Sequence, residues 1–240
     1  MTGAAIPEWL HGLSIAALVL GGICAAIIAW DEIRRPQPMW IMNVVWPVTA
    51  LFGTLITLWT YFRYGRAAAH RPCGAPKHAA TPFPIIVGKA ASHCGSGCTL
   101  GDIVAEWLAF AFPAIAVWLG WKSLFAERVF AVWILDFVCA FAFGILFQYF
   151  TIKPMRKLSP GEGLVQALKA DTLSLISWQL GMYGFMAFAQ FALFRSLLGT
   201  RLEVNSPEFW FVMQIAMICG FATSYPVNWW LVRSGIKEKM

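Results

Sequence analysis

Long apolar runs separated by short polar breaks dominate the chain from near its start to near its end. Each run is long enough to cross a bilayer as a helix, which takes about 20 residues. No stretch alternates apolar and polar residues with a period of two, as a transmembrane strand would. The pattern therefore predicts an all-α integral membrane protein, a bundle of six transmembrane helices at 9–30, 39–62, 100–121, 129–152, 172–194 and 209–232.

The polar breaks predict where some helices begin. "SPGE" at Ser159 to Glu162 is typical of a capping box, and the amphipathic "GLVQALKA" after it predicts an interfacial helix before the fifth span. "TLGD", at residues 99–102, is a weaker capping box and predicts that the third helix begins there. The longest break is a polar basic loop, 63–84, which continues as a Cys- and His-containing segment to residue 98. We treat 1–240 as a single membrane domain.

Composition supports the membrane assignment. The 240 residues are 59% hydrophobic and 12% charged, whereas soluble domains average about 25% charged residues. The first apolar run is too long for a secretory signal peptide and has no basic flank before it. The net charge of +6 is not gathered into a patch suited to nucleic acid. The expected partners are therefore the lipid bilayer, a metal ion, and a larger membrane complex or further copies of this chain.

The distribution of Lys and Arg predicts an orientation, because cytoplasmic loops are enriched in both. With six spans, one side carries twice as many as the other. The richer side has Arg63, Arg66, Arg71, Lys77, Lys89, Lys153, Arg156, Lys157, Lys169, Arg233, Lys237 and Lys239, and the poorer side has Arg34, Arg35, Lys122, Arg128, Arg195 and Arg201. This predicts that both termini and the Cys- and His-containing segment are cytoplasmic.

"SHCGSGC", at residues 92–98, concentrates potential metal ligands. His93, Cys94 and Cys98 are the ligand types that soft and borderline metals such as copper or zinc prefer. The glycines between the cysteines would let the backbone turn both sulfurs toward one point. Asp102 and Glu106 follow at a spacing of four, which places both on one face of a helix. We expect these five residues to form a metal site at the mouth of the third span.

Other residues are secondary candidates for the same chemistry. They are two histidines and a cysteine in the basic loop, two methionines four apart in the sixth span, and an acid within the fourth: His70, Cys73, His78, Met213, Met217 and Asp136. Thioethers suit copper(I), although methionine at helical spacing is commonly a packing residue. An ionisable group within a span is usually functional. Cysteines isolated in apolar runs are interpreted as packing residues.

Several motifs together resemble a known family. "MWIMNVVWPVTALFG", "SHCGSGCTLGDIVAEW", "ILDFVCAFAFGILFQY", "KADTLSL" and "FWFVMQIAMICGFATSYPVNWWL" are similar to the bacterial multi-pass membrane family catalogued as domain of unknown function 4396. The resemblance runs from about Met39 to the last residue. It implies an integral membrane protein of bacteria, located in the cytoplasmic membrane. It implies no activity, and no catalytic residue is assigned.

Three functions remain open. The first is a membrane protein that binds and moves a soft metal ion, with copper the first choice, at the cytoplasmic mouth of the third span. The sequence has no GxxxxGK loop, so ATP hydrolysis by this chain would not drive it. The second is a membrane thiol-disulfide oxidoreductase that uses Cys94 and Cys98. The third is a non-catalytic subunit or assembly factor. Only the second is an enzyme, and the charge distribution argues against it.

Overall fold

The computed structural model describes residues 6–67 and 81–238, which are helical almost throughout. The helices are α1 (Glu8–Arg34), α2 (Met42–Thr60, extended by a π turn, Tyr61–Gly65), α3 (Phe83–Ala111), α4 (Ala114–Trp118), α5 (Arg128–Arg156), α6 (Pro160–Ala187, extended by a π segment, Phe188–Leu197) and α7 (Pro207–Arg233). Among the described residues, four segments are long and apolar enough to cross a membrane: Glu8–Arg34, Met42–Gly65, Arg128–Arg156 and Pro207–Arg233. The chain thus has the helices of an α-helical membrane protein.

The second of these segments is not straight. Thr54 interrupts it with a φ of 42° and a ψ of −122°, far from helical values. The ring centroids of Trp46 and Tyr61 lie 5.5 Å apart, whereas a straight helix would separate these two residues by about 22 Å. A Cβ on Gly65 would come within 2.3 Å of Trp46 Cζ2. Residues 42–65 therefore form a re-entrant helical hairpin and not the straight second span that its hydrophobicity predicted.

One side of the hairpin tip packs against α1 and α7. A Cβ on Gly21, midway along α1, would lie 2.5 Å from the Leu51 carbonyl oxygen. Gln214 on α7 donates a hydrogen bond to the same oxygen at 2.6 Å. At the other extreme of the hairpin, Gln37 donates to the Gly65 carbonyl at 3.1 Å. The start of the first limb and the end of the second limb therefore lie at the same end of the molecule.

Four long helices form the core of the bundle. α3 packs on α5, α5 on α6, α6 on α7, and α7 closes the ring against α3. α1 and the hairpin pack on the outside of this ring, against α7 and α3. Trp178 of α6 fills the centre, where its ring occupies the space left by Gly95 on α3 and Gly220 on α7.

Different helix starts and ends lie at the two ends of the bundle. The hairpin end holds Gly65, the end of α1 and the start of α3, where Lys89 donates to the Tyr64 carbonyl at 2.8 Å. The far end holds the starts of α1 and α7, where His11 Nδ1 lies 2.6 Å from Glu208 Oε1. Glu238, after α7, pairs with Arg156 at the hairpin end. The start of α1 and the segment after α7 thus lie at opposite ends, which differs from the expectation that both termini share one side.

The third helix begins earlier than predicted. α3 starts at Phe83 after Pro82, so residues 92–102 lie inside a helix and not in a loop before it. Thr99 is no cap, because its hydroxyl donates to the Gly95 carbonyl at 2.8 Å within the helix. Pro113 follows the end of α3 at Ala111, well before the predicted end of the span at 121.

The other helix starts match the sequence better. The Ser159–Glu162 capping box is confirmed, with Ser159 Oγ accepting from the Glu162 N–H and Glu162 accepting from the Ser159 N–H. The amphipathic segment after it is not a separate interfacial helix, since it forms the first turns of a continuous α6. The first, fourth and sixth predicted spans fall within α1, α5 and α7.

Small residues hold α3 against α5. A Cβ on Gly97 would lie 2.7 Å from Gly144 N, and one on Gly101 would lie 2.4 Å from Ala140 N. Two small residues four apart on each helix allow the backbones to meet, as is common between membrane helices. Gly97 and Gly101 therefore serve the packing of α3 on α5.

A cross-linking experiment tests the hairpin. In a Trp46→Cys, Gly65→Cys variant we expect a short bifunctional thiol reagent to join the two engineered residues, because they lie on facing limbs. A straight helix would separate them by about 28 Å. Mass spectrometry of the linked peptides is the measurement. If each single variant and the double variant give the same peptides, without a cross-link, the hairpin is wrong.

Enlarging Gly101 tests the α3–α5 contact. We expect Gly101→Ala to destabilise the protein by about 1–3 kcal/mol, because the new methyl group meets backbone atoms of α5. Thermal unfolding in detergent measures this. Gly22→Ala on α1 is the matched control, since a Cβ there has nothing within 4 Å. An equal unfolding temperature for the two variants would contradict this packing.

Candidate functional site

Three cavities follow one another through the bundle from the hairpin end to the far end. The hairpin-end cavity, of about 380 Å³, lies between the two limbs of the hairpin, α3 and α7, and its lining includes Thr49, Phe52 and Lys89. The tip cavity, of about 220 Å³, lies beyond the hairpin tip and is also lined by Phe52. The far-end cavity, of about 100 Å³, is lined by Glu106. Phe52 thus separates the first two cavities.

The tip cavity is lined by a buried acid. Asp102 lines it and is completely buried. Within the described part of the chain, neither carboxylate oxygen of Asp102 has a hydrogen-bond partner. An ionised carboxylate removed from water costs many kcal/mol unless a cation pairs with it, so Asp102 must hold a proton or a cation.

Two further acids lie close to Asp102. Glu106 is one helical turn away on α3 and lines the far-end cavity. Asp136, on α5, is buried, and its Oδ1 has no partner among the described residues. Gly101 lies against Ala140, so Asp136, one turn before Ala140 on α5, faces the part of α3 that carries the other two acids. The three carboxyl groups are therefore close to one another, with Asp102 lining the tip cavity and Glu106 lining the far-end cavity.

Soft donors face Asp102 from α7. Met213 and Met217 both line the tip cavity, and the hydroxyl of Thr99 lies 3.7 Å from the sulfur of Met217. The cavity therefore combines one carboxylate, two thioethers and a hydroxyl group. Of the secondary candidates from the sequence, these two methionines and Asp136 are the ones that the structure brings to the acids.

The thiols and the histidine have a different role. His93 is buried, lies 3.1 Å from the Thr151 hydroxyl through Nε2, and contacts the edge of Phe147. Cys94 and Cys98 are free thiols buried in the apolar core beside Trp178. None of the three residues lines any of the three cavities. Adjacent helical residues point about 100° apart, so His93 and Cys94 diverge.

The predicted five-residue metal site is therefore not assembled as expected. Within the ranges that the structure describes, no three His, Cys, Asp or Glu side chains are grouped closely enough to hold a metal ion. The sequence placed His93, Cys94 and Cys98 before the start of the third helix, whereas all five residues lie within α3. His70, Cys73 and His78 lie outside the described residues.

A family comparison covers most of this site. The model of the family "Domain of unknown function (DUF4396)" matches residues 86–237. The chain belongs to this family. The matched region of the DUF4396 protein contains the acid cluster, both methionines of the tip cavity and Lys237, but it does not reach the re-entrant hairpin. The match is thus shorter than the resemblance noted from the sequence, which began near Met39. No curated protein and no solved structure matches the chain.

Sequence reasoning missed the hairpin and with it the cavities. The available signal was local: Gly53 and Thr54 interrupt the middle of an apolar run, and threonines occur at 49, 54, 57 and 60. A Gly-interrupted hydrophobic segment is a known mark of discontinuous membrane helices. Its length of 24 residues nevertheless fits a straight span.

Proposed function

We propose that this DUF4396 protein carries a cation across a membrane, and that the transported ion is a soft metal ion, copper(I) in the first instance. The observation that supports this most is Asp102, which is buried, has no partner among residues 6–67 and 81–238, and lines the tip cavity beside two thioether sulfurs. Carboxylate and thioether together suit a soft monovalent cation better than Mg²⁺ or Ca²⁺, which prefer oxygen ligands.

The three cavities supply the route of this proposal. A cation from the hairpin end enters the cavity between the limbs, passes Phe52, and is held at Asp102. It leaves through Glu106 and the far-end cavity. Broken helices at mid-bilayer are typical of transporter binding sites, because the interrupted backbone is tolerated where it lines a cavity.

The driving force in this proposal is a gradient. In this proposal Asp136 and Glu106 are protonated while the cation is held on the Asp102 carboxylate. As the cation leaves, one proton passes from them to Asp102 and is replaced from the far-end cavity, which keeps the buried cluster neutral before and after release. The proposal keeps the ion suggested by the sequence but moves its site from His93, Cys94 and Cys98 to the tip cavity. The two thiols are then packing residues.

We further propose five membrane-crossing helices, α1, α3, α5, α6 and α7, with the re-entrant hairpin entering from the cytoplasmic side of a bacterial inner membrane. The hairpin half of the described chain carries Arg34, Arg35, Arg63, Arg66, Lys89, Lys153, Arg156, Lys157, Lys169, Arg233 and Lys237, whereas the far half carries Lys122, Arg128, Arg195 and Arg201. Because Arg34 and Arg35 lie at the hairpin end, the ratio of Lys and Arg residues between the two ends is higher than it was with six spans. This distribution favours a cytoplasmic hairpin end.

Thiol labelling tests this topology. In a Cys73→Ser background, we expect Ser123→Cys and Asn205→Cys to react with an impermeant maleimide in intact cells, because they lie at the far end. Arg35→Cys and Arg63→Cys should react only after permeabilisation. Labelling of these last two from different sides would contradict the hairpin, and the reverse pattern overall would invert the orientation.

Copper(I) uptake into proteoliposomes under reducing conditions tests the transport proposal. We expect Asp102→Asn to reduce the initial rate at least about tenfold, because it removes the charge that holds the cation at nearly constant volume. Met217→Leu should reduce it less. Met182→Leu is the matched control, since Met182 is equally buried but lines none of the three cavities.

A Cys94→Ala, Cys98→Ala variant distinguishes the tip cavity from the thiol site. We expect its uptake to equal that of the parent. If uptake is lost in this variant and kept in Asp102→Asn, the thiols and not the tip cavity form the ion site. If the folded parent protein takes up no copper(I), the proposal of copper transport is wrong.

A further inference from the structure

A second buried charge cluster lies at the hairpin end, apart from the three cavities. The segment after α7 turns back into the bundle and buries the side chain of Lys237, which is 0% exposed. Its ammonium group lies 2.9 Å from Asp171 Oδ1, 2.9 Å from Asn228 Oδ1 and 3.5 Å from Ser174 Oγ. Lys237 is thus held by three oxygen atoms from α6 and α7.

Two of the three oxygens are held without the lysine. The Asn228 amide donates to Ser174 Oγ at 2.8 Å and to the Ser224 carbonyl at 2.9 Å. These two bonds use the NH₂ group, so the amide oxygen must point at the ammonium. Gly144 on α5 makes room for Asp171, since a Cβ there would lie 2.9 Å from Asp171 Oδ2. A carboxylate, an amide oxygen and a hydroxyl therefore form a cage of oxygen atoms around the ammonium group.

The cage has capacity beyond the lysine. Asp171 Oδ2 is buried and has no hydrogen-bond partner among the described residues. Such oxygen ligands are those that hard cations prefer. An ammonium group carries the same charge as an alkali ion and places similar demands on the oxygens around it. The cage is therefore chemically a monovalent cation site, with a lysine as its occupant.

Lys237 reaches the cage from a short segment after α7 that is not helical. Residues 234–238 follow the end of α7, and Gly235 turns the chain with a φ of 74°. The segment is held by the backbone N–H groups of Ile236 and Lys237, which both donate to the Leu231 carbonyl at 3.1 Å. At the surface it is also held by the ion pair of Arg156 with Glu238. Exposed ion pairs of this kind contribute about 0–1 kcal/mol. Withdrawal of Lys237 would break these contacts between the segment and the last turn of α7.

A structural role alone explains the pair poorly. Burying two charges costs several kcal/mol per ion, and the pair recovers this only with good geometry, so a buried ion pair is weak evidence of stabilisation. We propose that Asp171, Ser174 and Asn228 form a binding site for a monovalent cation, an alkali or ammonium ion, and that Lys237 competes for it as a tethered occupant. This inference does not depend on copper transport or on the tip cavity.

Chemical rescue of Lys237→Ala tests the site. The full chain is purified in detergent, and its thermal unfolding is measured at constant ionic strength in choline, sodium, potassium or methylammonium chloride. We expect the variant to unfold at lower temperature than the parent in choline. Potassium, sodium or methylammonium should raise its unfolding temperature by at least about 2 °C in a saturable way, because an ion that binds the folded state stabilises it. The parent should show no such dependence.

Two controls separate the cage from general salt effects. Lys157→Ala removes an exposed lysine at the same end and should behave as the parent. Adding Asp171→Asn to Lys237→Ala removes the carboxylate, and the double variant should lose the response to the small cations.

One outcome overturns the inference. If Lys237→Ala unfolds at the same temperature in choline as in the three small-cation salts, the lysine is only a structural partner of Asp171. Lys237→Gln, which keeps a hydrogen-bond donor in the cage, is the second variant. If the alanine variant does not fold, Lys237→Gln is measured instead. We expect small cations to raise its unfolding temperature above that in choline, and no difference between the salts would overturn the inference.

Discussion

A backbone broken inside a membrane bundle must be covered by protein or must line a cavity, and this constraint organises the structure. Hydrocarbon offers no hydrogen bonds to exposed N–H and C=O groups. The hairpin that reverses at Thr54 packs against α1, α3 and α7, and Gln214 satisfies the carbonyl of Leu51 near the tip. The cavities on the two sides of Phe52 exist because the hairpin ends midway through the bundle.

α3 makes the closest helix contacts in the bundle and carries two of its buried acids. Gly97 and Gly101 bring it against the backbone of α5, and Gly95 admits the ring of Trp178. Another stripe of the same helix carries Cys94, Cys98, Asp102 and Glu106 at intervals of one turn. The thiols contact core side chains, whereas the acids reach two cavities. One helix thus supplies both the tightest packing and the buried charge.

Much of the fold followed from the sequence. Uninterrupted apolar runs located α1, α5 and α7, because a bilayer-spanning helix requires little more than length and hydrophobicity. The capping box at Ser159 was found because its hydrogen bonds are made between residues three apart. The start of α3 was missed because the residue types of a cap do not show whether a helix has already begun. Thr99 and Asp102 have the residue types of a cap, but Thr99 bonds within a helix that had begun at Phe83.

The sequence by itself determined that the chain is an α-helical membrane protein with acids and soft donors among its apolar residues. Tertiary structure alone decided which of these meet. Asp102 on α3 and Met217 on α7 share a cavity, and Asp171 holds a lysine from far along the chain. Adjacent His93 and Cys94 diverge on their helix. Sequence spacing fixes neighbours on one helix, but the approach of different helices depends on packing and on where a hydrophobic segment turns back.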